Sequence, residues 1–232
     1  MNFINFAYEQ QKIVTDGLIL NLDAGNISSY SGTGSTWYDL SNSNNNGIIH
    51  NGSTFNLSNG GSITINPSFS QYISFNSTLG NGVTSSYSWG GWFNSSNAAL
   101  YGTAPNANNW CMNLAYDGIN LQWGMYVVTT VPSTSAVGFV IPAVLIPNTW
   151  YHLMGVWKAG VSLSVYVNGT LLNTLLTSTN TLRTPASGWG IGSIAPSQYN
   201  QASTGTFNVY KRVLTQQEIS QNFNALRGRY GL

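Results

Sequence analysis

WYHLMGVWKAGVSLSVYVNG, residues 150–169, is the stretch from which the fold of this chain can be read. Residues 150–157 are rich in aromatic and branched side chains, with one glycine and no proline, and predict a strand. Lys158, Ala159 and Gly160 make a short turn. Val161, Leu163, Val165 and Val167 then alternate with Ser162, Ser164 and Tyr166, the period-two mark of a strand with one buried face. Asn168-Gly169 supplies the positive φ angles of a tight hairpin, and 170–174 returns as a third strand. Because 150–157 is apolar on both faces, it is expected mid-sheet with its second face also covered. The stretch is an antiparallel meander at the heart of a β-sandwich.

Outward from that meander, short strands recur between turn-forming residues. The chain opens on a strand over 18–23, where Leu18, Leu20 and Leu22 alternate with Ile19 and Asn21. A Gly- and Asn-dense loop follows, with Trp37 and Leu40 as its expected anchors to the core. Asp39 in that loop reads as a turn former that binds nearby backbone amides, not as a catalytic acid. Further strands are expected over 47–50, 61–65, 72–75, 87–93, 110–116, 121–128, 138–144 and 188–192. This spacing predicts an all-β sandwich or jelly roll. One helix is expected, in LTQQEISQNFNAL, where Thr215 and Glu218 form a capping box and Leu214 and Ile219 a hydrophobic staple. Ile219, Phe223 and Leu226 would line its buried face, and Gly228 would end it.

Composition narrows the function. At 232 residues, with charged residues only 6% and a net charge of +1, the chain lacks the dense basic stripe that phosphate-backbone binding needs, so no nucleic acid is expected as partner. Solubility falls to Asn, Ser, Thr and Gly, a surface common on extracellular and virion-exposed β proteins. Cys111 is the only cysteine, excludes an internal disulfide and reads as a small buried residue. The longest apolar run, 136–147, is cut by Gly138, Pro142 and Pro147, so no membrane insertion is expected. The start, MNFINFAYEQQKI, does not have the pattern of a signal peptide.

Residues 1–12 read as a segment apart from a domain over 13–232. Phe3, Ile4, Phe6 and Tyr8 follow no strand or helix period. Two readings stand side by side: a frayed terminus, or an assembly arm that buries these side chains on a neighbouring subunit.

A set of ordered motifs then brings in a family. IVTDGL (13–18), LDAGN (22–26), SY (29–30), WYDLS (37–41), NGGS (59–62), WYH (150–152), YVNG (166–169), YKRVL (210–214) and QNFNALRGRYG (221–231) together resemble concanavalin A-like lectin/glucanase domains of the laminin-G-like kind. The resemblance is to the subgroup found in bacteriophage virion structural proteins. It implies a jelly-roll β-sandwich of two antiparallel sheets with one short C-terminal helix. In the wider family, acidic loop residues can hold calcium. Here the matching stretch, INPSFSQY (65–72), has no carboxylate, so no cofactor is expected and calcium is doubtful.

Glycosidases of this fold need carboxylates flanking one bond. The acids, Glu9, Asp16, Asp23, Asp39, Asp117 and Glu218, form no such cluster, and Glu218 is taken by the helix cap. His50 and His152 are too far apart in the chain for metal-ligand spacing, and His152 reads as a satisfied strand residue. Sugars bind through ring stacking rimmed by amides and hydroxyls. Asn109, Trp110, Asn113, Tyr116, Asp117, Trp123 and Tyr126 lie in one hairpin region and are the candidates, although a sandwich core also needs such aromatics.

The expectation is therefore a non-enzymatic virion structural protein. It would be a lectin-like module on the particle surface, as capsid decoration or tail appendage, with host-glycan adhesion. Its partners would be other virion proteins, copies of itself and a host surface glycan. A free carbohydrate-binding lectin is the alternative, and a glycoside hydrolase that kept the fold comes third.

Overall fold

A computed structural model describes residues 11–75, 86–95, 99–103, 112–116, 121–128, 136–176, 189–192 and 202–232. The strands among them are β1 (Leu18–Asp23), β2 (Thr36–Trp37), β3 (Gly47–His50), β4 (Thr54–Asn56), β5 (Ser62–Ile65), β6 (Tyr72–Ser74), β7 (Tyr87–Asn94) and β8 (Ala99–Thr103). They continue with β9 (Met112–Tyr116), β10 (Leu121–Val128), β11 (Ala136–Leu145), β12 (Trp150–Lys158), β13 (Ser162–Val167), β14 (Thr170–Leu176), β15 (Trp189–Gly192) and β16 (Ala202–Tyr210). One α-helix, α1 (Gln216–Leu226), runs into a 3-10 turn, Arg227–Tyr230.

All pairings are antiparallel and make two sheets, as expected for a concanavalin A-like sandwich. The first runs β14-β13-β12-β7-β16-β5-β4, with β1 also paired to β16; the second runs β11-β10-β9-β8-β15-β6-β3-β2. Inward-facing Leu20, Leu22, Trp37, Ile63, Ile65, Ile73, Phe93, Leu153, Trp157, Leu163, Val165, Phe207 and Val209 fill the core between them. Phe75 and Phe207 stack across it at 5.3 Å. The Asn168-Gly169 hairpin has φ of 48° and 77°, the mirror-image turn that matches strand twist.

As predicted, β12 lies mid-sheet between β7 and β13, with both faces covered. Its outward residues Met154 and Val156 join Tyr166, Tyr210, Leu214 and Ile219 in a second apolar cluster under α1. One expectation needs correcting here. Ser164 and Tyr166, placed on an open face of β13, are buried, because α1 closes that side of the sheet and the Ser164 and Thr174 hydroxyls bond each other at 2.8 Å. Strands β2, β4, β8 and β16 were not anticipated. The last is central: a bulge at Gly205 shifts its register between Thr204 and Thr206, so its alternation changes phase midway.

The helix carries the predicted cap. The Thr215 hydroxyl accepts the Glu218 N–H at 3.2 Å, and the Glu218 carboxylate accepts the Thr215 N–H at 2.8 Å. Leu214 and Ile219 are both buried across it. The residues most buried along α1 are Ile219, Asn222 and Ala225, with Phe223 and Leu226 half-buried. The 3-10 turn carries the chain past Gly228, and Gly231 at φ 80° is the left-handed residue that ends it. This places Tyr230 flat on Trp92, with centroids 4.2 Å apart, and its hydroxyl over Gly205, where any Cβ would collide with it.

Replacing Thr215 by alanine removes one backbone partner and is expected to cost about 1 kcal/mol, a fall of a few degrees in Tm, measured by calorimetry.

Candidate functional site

The four carboxylates of the described residues all have structural partners. Asp16 and Glu218 flank Arg212 at 2.8 and 2.6 Å, and Asp23 pairs with Arg229 at 2.7 Å. Asp39 accepts the N–H groups of Asn21, Ser41 and Asn45 and the Ser41 hydroxyl, the turn-forming role expected of it. The Arg212 hydrogen bond, helped by the Thr215 N–H and hydroxyl, pulls the Glu218 carboxyl down to about 2, so it stays ionised and is no proton donor near neutrality. Glu9 and Asp117 lie outside the described residues.

The carboxylate-free stretch 65–72 is a self-closed loop. The Asn66 N–H donates to Gln71 Oε1 at 2.8 Å, and Asn66 Oδ1 accepts the Ser68 N–H at 3.0 Å. Gln71 Nε2 gathers the carbonyls of Asn51 and Gly52 at 3.1 and 2.9 Å, while Asn51 Nδ2 donates to the Ser70 carbonyl at 2.7 Å. A buried neutral amide thus draws two carbonyl oxygens together. Among the described residues no group of three His, Cys, Asp or Glu is placed to hold a metal ion.

On the outer face of the second sheet stands an aromatic plate. His50 on β3 and Tyr72 on β6 are directly paired, and their rings stack at 4.1 Å and 9°. Ile49 and Ile73 point inward, so by alternation His50, Tyr72, Ser74 and exposed Ile48 face out. His50 Nε2 and Ser74 Oγ are 2.8 Å apart, and partial burial lowers the pKa of His50. On the next strand, β15, Gly190 and Gly192 sit opposite Ser74 and Tyr72 and place no side chain beside them. A half-exposed ring with hydroxyls at its rim suits a saccharide ring face.

The predicted sugar-binding hairpin belongs to the same sheet. Asn113 and Tyr116 lie on β9, and Trp123 and Tyr126 on β10; the register sets Trp123 opposite Leu114, Tyr116 opposite Leu121 and Asn113 opposite Gly124. Asn109, Trp110 and Asp117 lie outside the described residues, as do Phe3, Ile4, Phe6 and Tyr8 of the expected arm and Cys111. The His50–Tyr72 plate was missed from sequence. Each strand showed its alternation, but nothing local announced that β3 pairs with β6.

His152, on β12, is buried beneath α1, with Trp92 at 5.4 Å and Phe223 at 6.1 Å. Its backbone exchanges hydrogen bonds with Asn168, whose Oδ1 accepts the His152 N–H at 3.0 Å. The ring Nδ1 has no partner, so the expected satisfied histidine is satisfied only along its backbone. Burial pushes its pKa down to about 3, and it is a neutral packing group at physiological pH.

Comparison with known proteins places this geometry. Residues 66–220 match the family described as the concanavalin A-like lectin/glucanases superfamily, Laminin_G_3. No curated protein matches the sequence. Among solved structures, the binding domain of Paraclostridial Mosquitocidal Protein 1 superposes with a TM-score of 0.68 at 16% identity, over 90% of this chain and 52% of that one. The receptor binding domain of botulinum neurotoxin C/D mosaic serotype gives 0.65 at 14% identity, over 90% and 51%. A botulinum neurotoxin type C structure, described with cell entry dependent upon interaction with two ganglioside molecules, gives 0.65 at 16% identity, over 92% and 52%. The chain spans about half the length of these structures, and at such identities the likeness is one of fold.

Two measurements follow from this chemistry. An unfolded histidine takes up a proton near pH 6.5 and folded His152 only near 3, so the unfolded state holds more protons between those values. Stability is therefore present above pH 6.5 and falls on acidification, with a limiting loss of about 4–5 kcal/mol. His50 adds a contribution of the same sign. Denaturant melts from pH 7 to 4.5 should show this slope, and His152→Gln should remove most of it. Thermal melts in millimolar calcium and in chelator should superimpose, since a ligand of the folded state alone would raise Tm.

Proposed function

The chain belongs to the concanavalin A-like lectin/glucanases superfamily, and from that premise we propose that it is a non-enzymatic, lectin-like binding module displayed on a virus particle. One observation carries the non-enzymatic part: Asp16, Asp23, Asp39 and Glu218 are each held by an arginine or by backbone amides, which leaves none of them as a proton donor beside a nucleophile. Adhesion to glycan is supported by the lectin-like fold and by the His50–Tyr72 plate on the second sheet, the sheet that also carries Asn113, Tyr116, Trp123 and Tyr126. Display on a bacteriophage particle is supported by the motif resemblance and by a chain with only 6% charged residues. In this reading Phe3, Ile4, Phe6 and Tyr8 belong to an arm that docks on a neighbouring copy or another virion protein.

The test has a binding arm and a particle arm. On an array of host surface glycans the protein should bind at least one glycan saturably. Tyr72→Ala should weaken that binding by about tenfold, the loss of one stacked ring, with Tm nearly unchanged. No saturable binding overturns adhesion, and sugar release from the same glycans overturns the non-enzymatic assignment. Imaging of purified particles at chain-tracing resolution should find the sandwich on the surface with residues 1–12 ordered against a neighbour. Particles that lack the protein overturn display.

A further inference from the structure

On the opposite side of the sandwich from the His50–Tyr72 plate, the first sheet carries a cleft of about 390 Å³ that the reading above does not use. Its floor is the outer face of β1 and β16. Leu20 and Leu22 on β1, and Phe207 and Val209 on β16, point into the core. Their neighbours Asn21, Asp23, Thr206 and Asn208 therefore point outward. Register sets Asn21 opposite Asn208 and Asp23 opposite Thr206, so four polar side chains form two cross-strand pairs. Leu40 and Leu226 of α1 also line the cleft.

The hydrogen bonding of this floor is half-used. Asn208 is only 4% exposed, and its Nδ2 donates to Asn21 Oδ1 at 3.0 Å. Among the described residues, Asn208 Oδ1 and the side-chain N–H groups of Asn21 take no protein partner, while the Asn21 backbone N–H donates to Asp39. Thr206, also buried, accepts the Trp92 N–H at 3.3 Å, which leaves its hydroxyl hydrogen to donate. Asn208 is otherwise buried and lines the cleft, so its Oδ1 acceptor is open there to water or to a ligand. The charged group of the floor is paired, and the lining carries one cation, Lys12, outside any ion pair among the described residues. Asp23 is neutralised by Arg229 at 2.7 Å.

We propose that this cleft binds a small neutral polyhydroxylated ligand, a monosaccharide-sized ring, at a site separate from the second sheet. A hydroxyl both donates and accepts, and Asn21 and Asn208 present donors and an acceptor side by side for it. The Leu40 and Leu226 side chains take the ring's C–H face. A cation would meet no unpaired carboxylate on the floor, and an anion would meet only Lys12. The volume lies at the small end of ligand sites, and with no aromatic platform among its lining residues the site is weak and selective by shape.

The full-length chain, labelled with nitrogen-15, is titrated with glucose, galactose and N-acetylglucosamine to high millimolar concentration. The side-chain amide signals of Asn21 and Asn208 should shift along a saturating curve with at least one sugar. Asn208→Leu should abolish that response, and Tyr72→Ala should leave it unchanged, which separates this site from the plate. If Asn208→Leu does not fold, Asn21→Ala serves, since Asn21 is only half-buried. No saturable shift, or saturable shifts confined to the second sheet, overturns the proposal, because water alone then meets the floor.

Discussion

A sheet that is apolar on both sides cannot face water on either, and this constraint organises the molecule. β12 sends Leu153 and Trp157 into the sandwich and Met154, Val156 and His152 the other way. The second sheet covers the first set; the second set needs its own lid, and α1 with its 3-10 extension supplies it. Trp92 lies between Tyr230 and Phe223 at 4.2 and 5.7 Å, and Trp150 touches Tyr230 at 4.7 Å, so four aromatic rings seal the outer layer. Burial of rings on this scale contributes about 1.5–3 kcal/mol each. Closure depends on close approach at Gly205, where Tyr230 sits against bare backbone.

Much of this was legible because the signals are local. The double-faced character of residues 150–157 announced a covered outer side, and the Thr215–Glu218 capping box announced the helix that covers it. Nothing local in the sequence shows that the two belong together, since their contact joins residues far apart in the chain. The same limit hid β16: its bulge at Gly205 breaks the period that pattern reading relies on, and the break is what lets Tyr230 in. It also explains the candidate sites. Aromatics in one hairpin, such as Tyr116 and Trp123, are found by proximity in sequence. The His50–Tyr72 stack and the Asn21–Asn208 pair come from register between distant strands.

Charge is scarce here and is used where the layers meet the helix. Arg212 ties Asp16, ahead of β1, to Glu218 in the helix cap, and it also donates to the Asp16 and Val213 carbonyls. Arg229 joins the 3-10 turn to Asp23 and reaches the carbonyls of Asn59 and Gly61. Two guanidinium groups thus pin the two ends of the lid, each with enough donors to satisfy several acceptors at once. That arrangement gives Asp16, Asp23 and Glu218 architectural roles.

The end strand of the first sheet has a consequence for how copies behave in a crowd. β14, TLLNTLL, carries no charge and no proline, and Leu171, Leu172 and Leu176 are exposed along it. Sheet edges are ordinarily kept apart by such charges. With a net charge of +1 over the whole chain, long-range repulsion between molecules is nearly absent, so colloidal stability rests on bound water at the amide and hydroxyl surface. Added salt therefore has little repulsion to screen, whereas solutes that strip hydration act directly on this edge. Concentrated solutions should be governed by osmolyte and precipitant far more than by ionic strength.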